Sequence, residues 1–289
     1  MTSAVNLNAI AGLPPAQPPR PVAVPELPAF TLANGLQVVV APRRGTPLVT
    51  ALLLARRGNE ADPVGRAGLA GMTAAVLAKG ARRGGRAWSA PEIARAAEAL
   101  GATLDGGSGW RSATLGMTVT TPRLAEALAL MADVIAAPTL AADELDRARS
   151  QALDGLRVAL ADPGAVADLA ARRAFWGANA YGAAATPASL PRLTRADLAA
   201  CHRQTWQPAT TTLVLAGDVG PEDARRLAER HFLAWRAAPA EVAVPALAAP
   251  QPQTPPLVVI DLPGSGQGGV VVSAPYVPLG APERRAALV

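Results

Sequence analysis

The apolar residues change period along this chain, and that switch restricts the fold more than any other feature. Leu36, Val38 and Val40 alternate with their neighbours, the period of a strand with one buried face. Leu69, Met72, Val76 and Leu77 fall at the i, i+3, i+7, i+8 spacing of a helix with one buried face. The sequence predicts strands at Phe30 to Val40, with an Asn34-Gly35 hairpin turn whose two residues both need positive φ, and at Leu48 to Ala55. A helix follows from Ala67 to Lys79, ended by Gly80, and another starts at Ser89 with Pro91 in its first turn. Further strands are expected near Thr103 and from Ala113 to Thr120, then helices carrying Leu124, Leu128, Met131 and Ile135, and over Asp143 to Leu160 and Ala165 to Trp176. Thr194 and Asp197 have capping-box spacing. A strand from Thr211 to Ala216 and a helix opening at Pro221 complete this unit. The two element types mix without regular βαβ alternation, so the expected class is α+β, a layered sheet with helices packed on it.

Four segments are expected along the 289 residues. Residues 1–27 are a Pro-rich lead-in and 28–236 the main domain; 237–256 form an Ala/Pro linker. Residues 257–289 begin a second unit, with strands at Leu257 to Leu262 and Val270 to Ser273 and a helix from Pro282, and that unit is too short to close a core. Half of the residues are hydrophobic and only 3% aromatic, so the core must be aliphatic. The apolar runs are too short to span a bilayer. The formal charge of +5 comes almost wholly from arginine, in scattered pairs such as Arg56-Arg57 and Arg172-Arg173, with no basic stripe interleaved with aromatics. This reads as a solvated surface and argues against nucleic acid.

Cys201 stands alone and reads as a small buried residue. No basic residue precedes Arg20, and Asn6, Asn8, Pro14 and Pro15 interrupt the amino terminus, so it does not read as a signal peptide. The compartment stays open: periplasmic if a leader was removed, otherwise cytoplasmic. The glycine-rich stretches Gly106 to Gly109 and Gly264 to Gly269 lack the lysine and following helix of a phosphate loop, and read as turns or strand edges. Ser108 and Ser265 lie in no recognisable nucleophile motif. The five tryptophans are dispersed and read as seals on helix edges.

Several segments together, in order, resemble the insulinase/pitrilysin (inverzincin) peptidases. They are Leu32-Ala33-Asn34-Gly35-Leu36, Arg57-Gly58-Asn59-Glu60, Gly68-Leu69-Ala70 entering a helix that ends Lys79-Gly80, Asp162-Pro163, Tyr181-Gly182, Leu193 to Leu198, and Leu213 to Val219. Asp261-Leu262-Pro263-Gly264 resembles the first strand of that family's second homologous domain. In active members the helix after Gly-Leu-Ala carries H-x-x-E-H, two zinc-binding histidines one turn apart and a glutamate general base, with a third ligand on a later helix. Here the matching positions place Gly71 and Ala75 where the histidines would be, and Ala74 where the base would be. The later helix offers Gln151, Asp154 and Gly155. His202 and His231, the only histidines, read as packing or surface residues.

The resemblance implies a catalytically inactive homologue, similar to the inactive partner of bacterial and mitochondrial processing peptidases. It implies no zinc in this chain, zinc in an active H-x-x-E-H subunit, and a peptide held in a chamber between the two. Two alternatives stay open on the residues alone: a metallopeptidase with an unorthodox zinc site, and a scaffold unrelated to proteolysis.

Overall fold

A computed structural model describes residues 26–236, 257–277 and 281. Strands β1 (Ala29–Thr31), β2 (Gln37–Pro42) and β3 (Leu48–Ala55) lead to helix α1 (Leu69–Leu77). A hairpin, β4 (Gly80–Arg83) and β5 (Arg86–Ser89), precedes α2 (Ala90–Ala99). Strands β6 (Asp105–Ser108) and β7 (Ala113–Thr120) follow, then α3 (Leu124–Ala136), α4 (Ala142–Ala161), α5 (Pro163–Trp176), α6 (Arg195–Thr205), β8 (Thr211–Gly217) and α7 (Pro221–Phe232). Six strands form one sheet in the order β1-β2-β8-β3-β7-β6. The late strand β8 inserts between β2 and β3, parallel to the first and antiparallel to the second, so both ends of the described domain are held in its centre. The expected layered α+β architecture is what the chain forms.

Alternation along the strands decides which face is covered. Val38, Val40, Val49, Ala51, Leu53, Leu115, Met117, Leu213 and Leu215 are buried, and they join Leu128, Met131 and Ile135 of α3 and Ala228 and Phe232 of α7 in one aliphatic core. At about 25 cal/mol per Å² of apolar surface, this layer dominates folding. A second cluster joins α1, α4 and α6 through Leu69, Met72, Val76, Leu145, Leu193 and Leu198. α1 therefore bridges two cores, which fixes its orientation. No described helix is long and apolar enough to cross a membrane.

Several expectations need correction. The Asn34-Gly35 turn forms, but only Gly35 takes positive φ, at 92°. Asn34 is held by its side chain instead: its Nδ2 donates to the carbonyls of Phe232 and Trp235 at 2.8 and 3.0 Å, closing the carboxyl end of α7. The hairpin β4–β5 was not expected. Its signal is Gly84-Gly85, whose φ values of 57° and 80° make the two-residue turn that suits antiparallel strands. The strand expected near Thr103 begins at Asp105.

Among the described residues, Leu257 to Leu262 and Val270 to Ser273 form no strand. Strands need ladder partners, and none lies beside them here. Val259, Val270 and Val272 stand 81%, 90% and 89% exposed. The lead-in up to residue 25, the linker 237–256 and the expected helix from Pro282 lie outside the described residues.

Candidate functional site around helix α1

The chain leaves β3 through a loop that is zipped onto the turn after β6. Asn59 N–H donates to Gly109 O at 2.9 Å and Glu60 N–H to Trp110 O at 3.0 Å. Ser108 Oγ donates to Asn59 Oδ1 at 2.7 Å. Only glycine fits at 58, because a Cβ there would lie 2.2 Å from Gly109 O.

Asp62 then caps α1 from outside it: its two carboxylate oxygens accept from Gly68 N–H and Ala70 N–H, both at 2.8 Å. Burial pushes the Asp62 carboxyl up to about 6, against the pull of those amides. Arg66 ties the same loop to α6 through Asp197 and the carbonyl of Arg192. Thr194 and Asp197 make the capping box expected of them.

Losing the Asp62 carboxylate leaves two helix-end amides without their partner. Asp62→Ala is expected to destabilise the chain by about 1–2 kcal/mol, and Asp62→Asn by less. The folded-state pKa exceeds the ordinary 3.8, so the folded chain binds the extra proton between about pH 4 and pH 6. The stability of wild type relative to Asp62→Asn should therefore fall as pH rises through that window and level off above it. Urea melts at several pH values check this; a difference that is flat from pH 4 to pH 7 rejects it.

Along α1, Gly71 and Ala75 share one exposed face, whereas Ala74 is buried. A Cβ added at Gly71 would meet nothing within 4 Å, and Gly71 borders a cavity of about 670 Å³. Across from α1, α4 presents Ala148, Ala152, Leu153 and Leu156. Gln151, Asp154 and Gly155 are exposed, and Asp154 pairs with Arg157 at 2.6 Å.

His202 is half-buried on α6, and its Nε2 lies 3.0 Å from Ile135 O at the end of α3. A carbonyl only accepts, so Nε2 carries the proton. His231 lies on α7 with a buried Nε2 that finds no partner. Cys201 packs half-buried against the second cluster, and burial raises its thiol pKa. Among the described residues, no three His, Cys, Asp or Glu side chains come together in a group able to hold a metal ion. A catalytic zinc takes three nitrogen, sulfur or oxygen ligands. A hydrogen, a methyl group and an alkyl helix face do not fit it.

Several residues of the site carried no legible signal in the sequence. Trp110 and Trp176 flank Tyr181, with ring centroids 5.2 and 5.0 Å from it. The tryptophans expected to be dispersed seals are thus partly gathered into one stack. Arg172 lies over the Trp110 ring at 5.7 Å. Burial, and then the nearby Glu60 carboxylate, raise the pKa of Tyr181. Glu60 is itself buried, and its Oε2 has no hydrogen-bond partner. Burial raises its pKa, while Arg111 and Arg57 pull the other way.

A glycine-entered helix thus packs beside the edge strand of a mixed sheet, and its exposed face carries no metal donor at Gly71 or Ala75. Residues 192–289 match a family model described as the peptidase M16 inactive domain. By structure the chain is similar to a peptidase M16 inactive domain from Pseudomonas fluorescens, with 27% identity and a TM-score of 0.70 over 78% of this chain and 55% of that one. It also shares its fold with the periplasmic protease PqqL of Escherichia coli (17% identity, TM-score 0.68, 80% of this chain and 26% of that one). Pitrilysin gives 16% identity and a TM-score of 0.67 over 78% of this chain and 24% of that one. The chain spans about half the length of the first of these. No curated protein matches it by sequence. The resemblance read from the sequence is met by a family match over the carboxyl-terminal third and by a shared fold: the chain is similar to M16 peptidases.

Proposed function

We propose that this chain is the non-catalytic subunit of an M16-type peptidase, completing a peptide-binding chamber with an H-x-x-E-H-bearing partner that carries the zinc. One juxtaposition carries the reading. The exposed face of α1 offers no donor at Gly71 or Ala75, yet β6 beside it keeps an edge fit for an extended peptide. β6 ends the sheet and bonds only to β7 among the described strands. It rests directly on α1, since a Cβ at Gly106 would lie 3.1 Å from Ala74 O. A groove of about 780 Å³ begins at Gly106 and Gly107 and crosses the open sheet face over Thr114 and Thr118 of β7 to Thr50 and Leu52 of β3. An added strand draws its affinity from main-chain hydrogen bonds, and glycines leave the edge clear for it.

The test combines binding with turnover. An extended peptide should bind the purified chain and stay intact with zinc present. Its backbone-N-methylated counterpart should bind at least about tenfold more weakly, because it cannot donate to the edge. An H-x-x-E-H protein recovered with the chain should gain chelator-sensitive activity from it. Cleavage by the chain alone, or equal binding of the methylated peptide, would overturn the proposal.

A further inference from the structure

We infer that the cavity between α1, α4 and α5 receives the carboxyl-terminal end of an apolar peptide, whose terminal carboxylate pairs with Arg172. Three observations converge. First, the cavity of about 670 Å³ lies within the range that takes a drug-sized ligand. Most of its walls are apolar: Leu156, Ala159, Ala165 and Leu169, with Ala183 to Ala185.

Second, Arg172 enters this wall with its guanidinium over the face of Trp110. No carboxylate lies within ion-pair distance of it among the described residues, although Asp168 stands one turn earlier on the same helix. A guanidinium held near an indole face, with no acidic partner, is available to a planar carboxylate.

Third, the cavity begins where β6 ends. Trp110 lines it two residues beyond Ser108, and the Asn59 side chain that accepts from Ser108 lines it too. A peptide lying along β6 therefore reaches the cavity when it runs past Ser108.

Asp62 and Asp168 also line the cavity and oppose further negative charge. Arg172 and Arg173 on the same wall balance them, so the cavity has room for one carboxylate, and its apolar walls favour one carried on an apolar chain. Trp110, the one member of the aromatic stack that lines the cavity, offers its indole to the last side chain.

This inference rests on the reading of the chain as a peptide-holding subunit, and the experiment separates the two. An N-acetylated apolar hexapeptide ending in phenylalanine is titrated calorimetrically against the full chain, as the free acid and as the carboxyl-terminal amide. The acid should bind about tenfold more tightly than the amide. Arg172→Gln should weaken the acid to the level of the amide and leave the amide unchanged. Arg172 is partly exposed and packs in neither core cluster, so the variant should keep its fold, which circular dichroism verifies. Equal binding of acid and amide would overturn the carboxylate pocket and leave the peptide-holding reading standing. Restoration of tight binding by an aspartate placed inside the amidated peptide would likewise overturn the assignment to a chain end. Failure of every peptide to bind would overturn both.

Discussion

Writing the lost motif back into α1, as Gly71→His, Ala74→Glu and Ala75→His together, is expected to lower stability by about 2–4 kcal/mol and to create no chelator-sensitive cleavage. The cost arises at position 74. Gly71 and Ala75 are exposed and take larger side chains freely, but Ala74 is buried on the side where β6 lies across the helix. A glutamate placed there must bury a carboxylate against a backbone that has closed over a methyl group. The missing gain arises on α4. Ala152, Leu153 and Leu156 face the cluster that contains α1, and the nearest acid of that segment, Asp154, points to solvent and pairs with Arg157. Two imidazoles one turn apart hold zinc only weakly, because a catalytic site needs a third protein ligand. The readout is urea denaturation with and without zinc. A site of catalytic quality, with zinc at about 100 times its Kd, would return about 2.7 kcal/mol; the expected return is below about 1 kcal/mol. Full recovery of stability together with peptide cleavage would show that a third ligand is within reach and overturn this expectation.

Much of this architecture was legible because local and global preferences agree. The 113–120 strand and the α4 helix were readable from period alone, and the Thr194–Asp197 cap from residue types at fixed spacing. The absence of donors at Gly71, Ala74 and Ala75 could also be read directly, since a motif fixes chemistry at each position.

What stayed hidden depends on partners distant in sequence. Asn34 was read as a turn former with positive φ, whereas its amide is committed to the end of α7, about two hundred residues on. Trp110, Arg172, Trp176 and Tyr181 have no common spacing. They meet only because the turn after β6 and the α5 segment converge, and of the four Trp110 and Arg172 line the cavity. Leu257 to Leu262 and Val270 to Ser273 show the opposite failure. Their composition favours strands, but propensity forms no ladder without a neighbouring edge. The β4–β5 hairpin was missed although Gly84-Gly85 marks it, because arginines, exposed on both strands, hide the alternation that normally flags one.

Acid is expected to remove about 3 kcal/mol of stability through His202 alone, between pH 6.5 and pH 4. The imidazole is half-buried between α6 and the end of α3, where desolvation pushes its pKa down to about 4, with Arg203 adding to the shift and the bond to Ile135 O opposing it. In the unfolded chain the ring takes up its proton near pH 6.5. Between these values the unfolded state binds more protons, so stability must rise with pH across the window and level off above it. His202→Gln retains an N–H able to reach Ile135 O but has nothing to titrate. Its stability should therefore follow that of wild type above pH 7, apart from a constant offset, and exceed that parallel as the pH falls towards 4. His231 and the carboxylates titrate in both proteins and cancel in the difference. Denaturant melts of the pair at half-unit pH steps measure the effect. Parallel curves from pH 7 to pH 4 would mean that the ring is already charged in the folded chain. In that case α6 is not docked on α3 by a neutral imidazole, and its seat would rest on the cluster of Leu193 and Leu198 with α1 and α4.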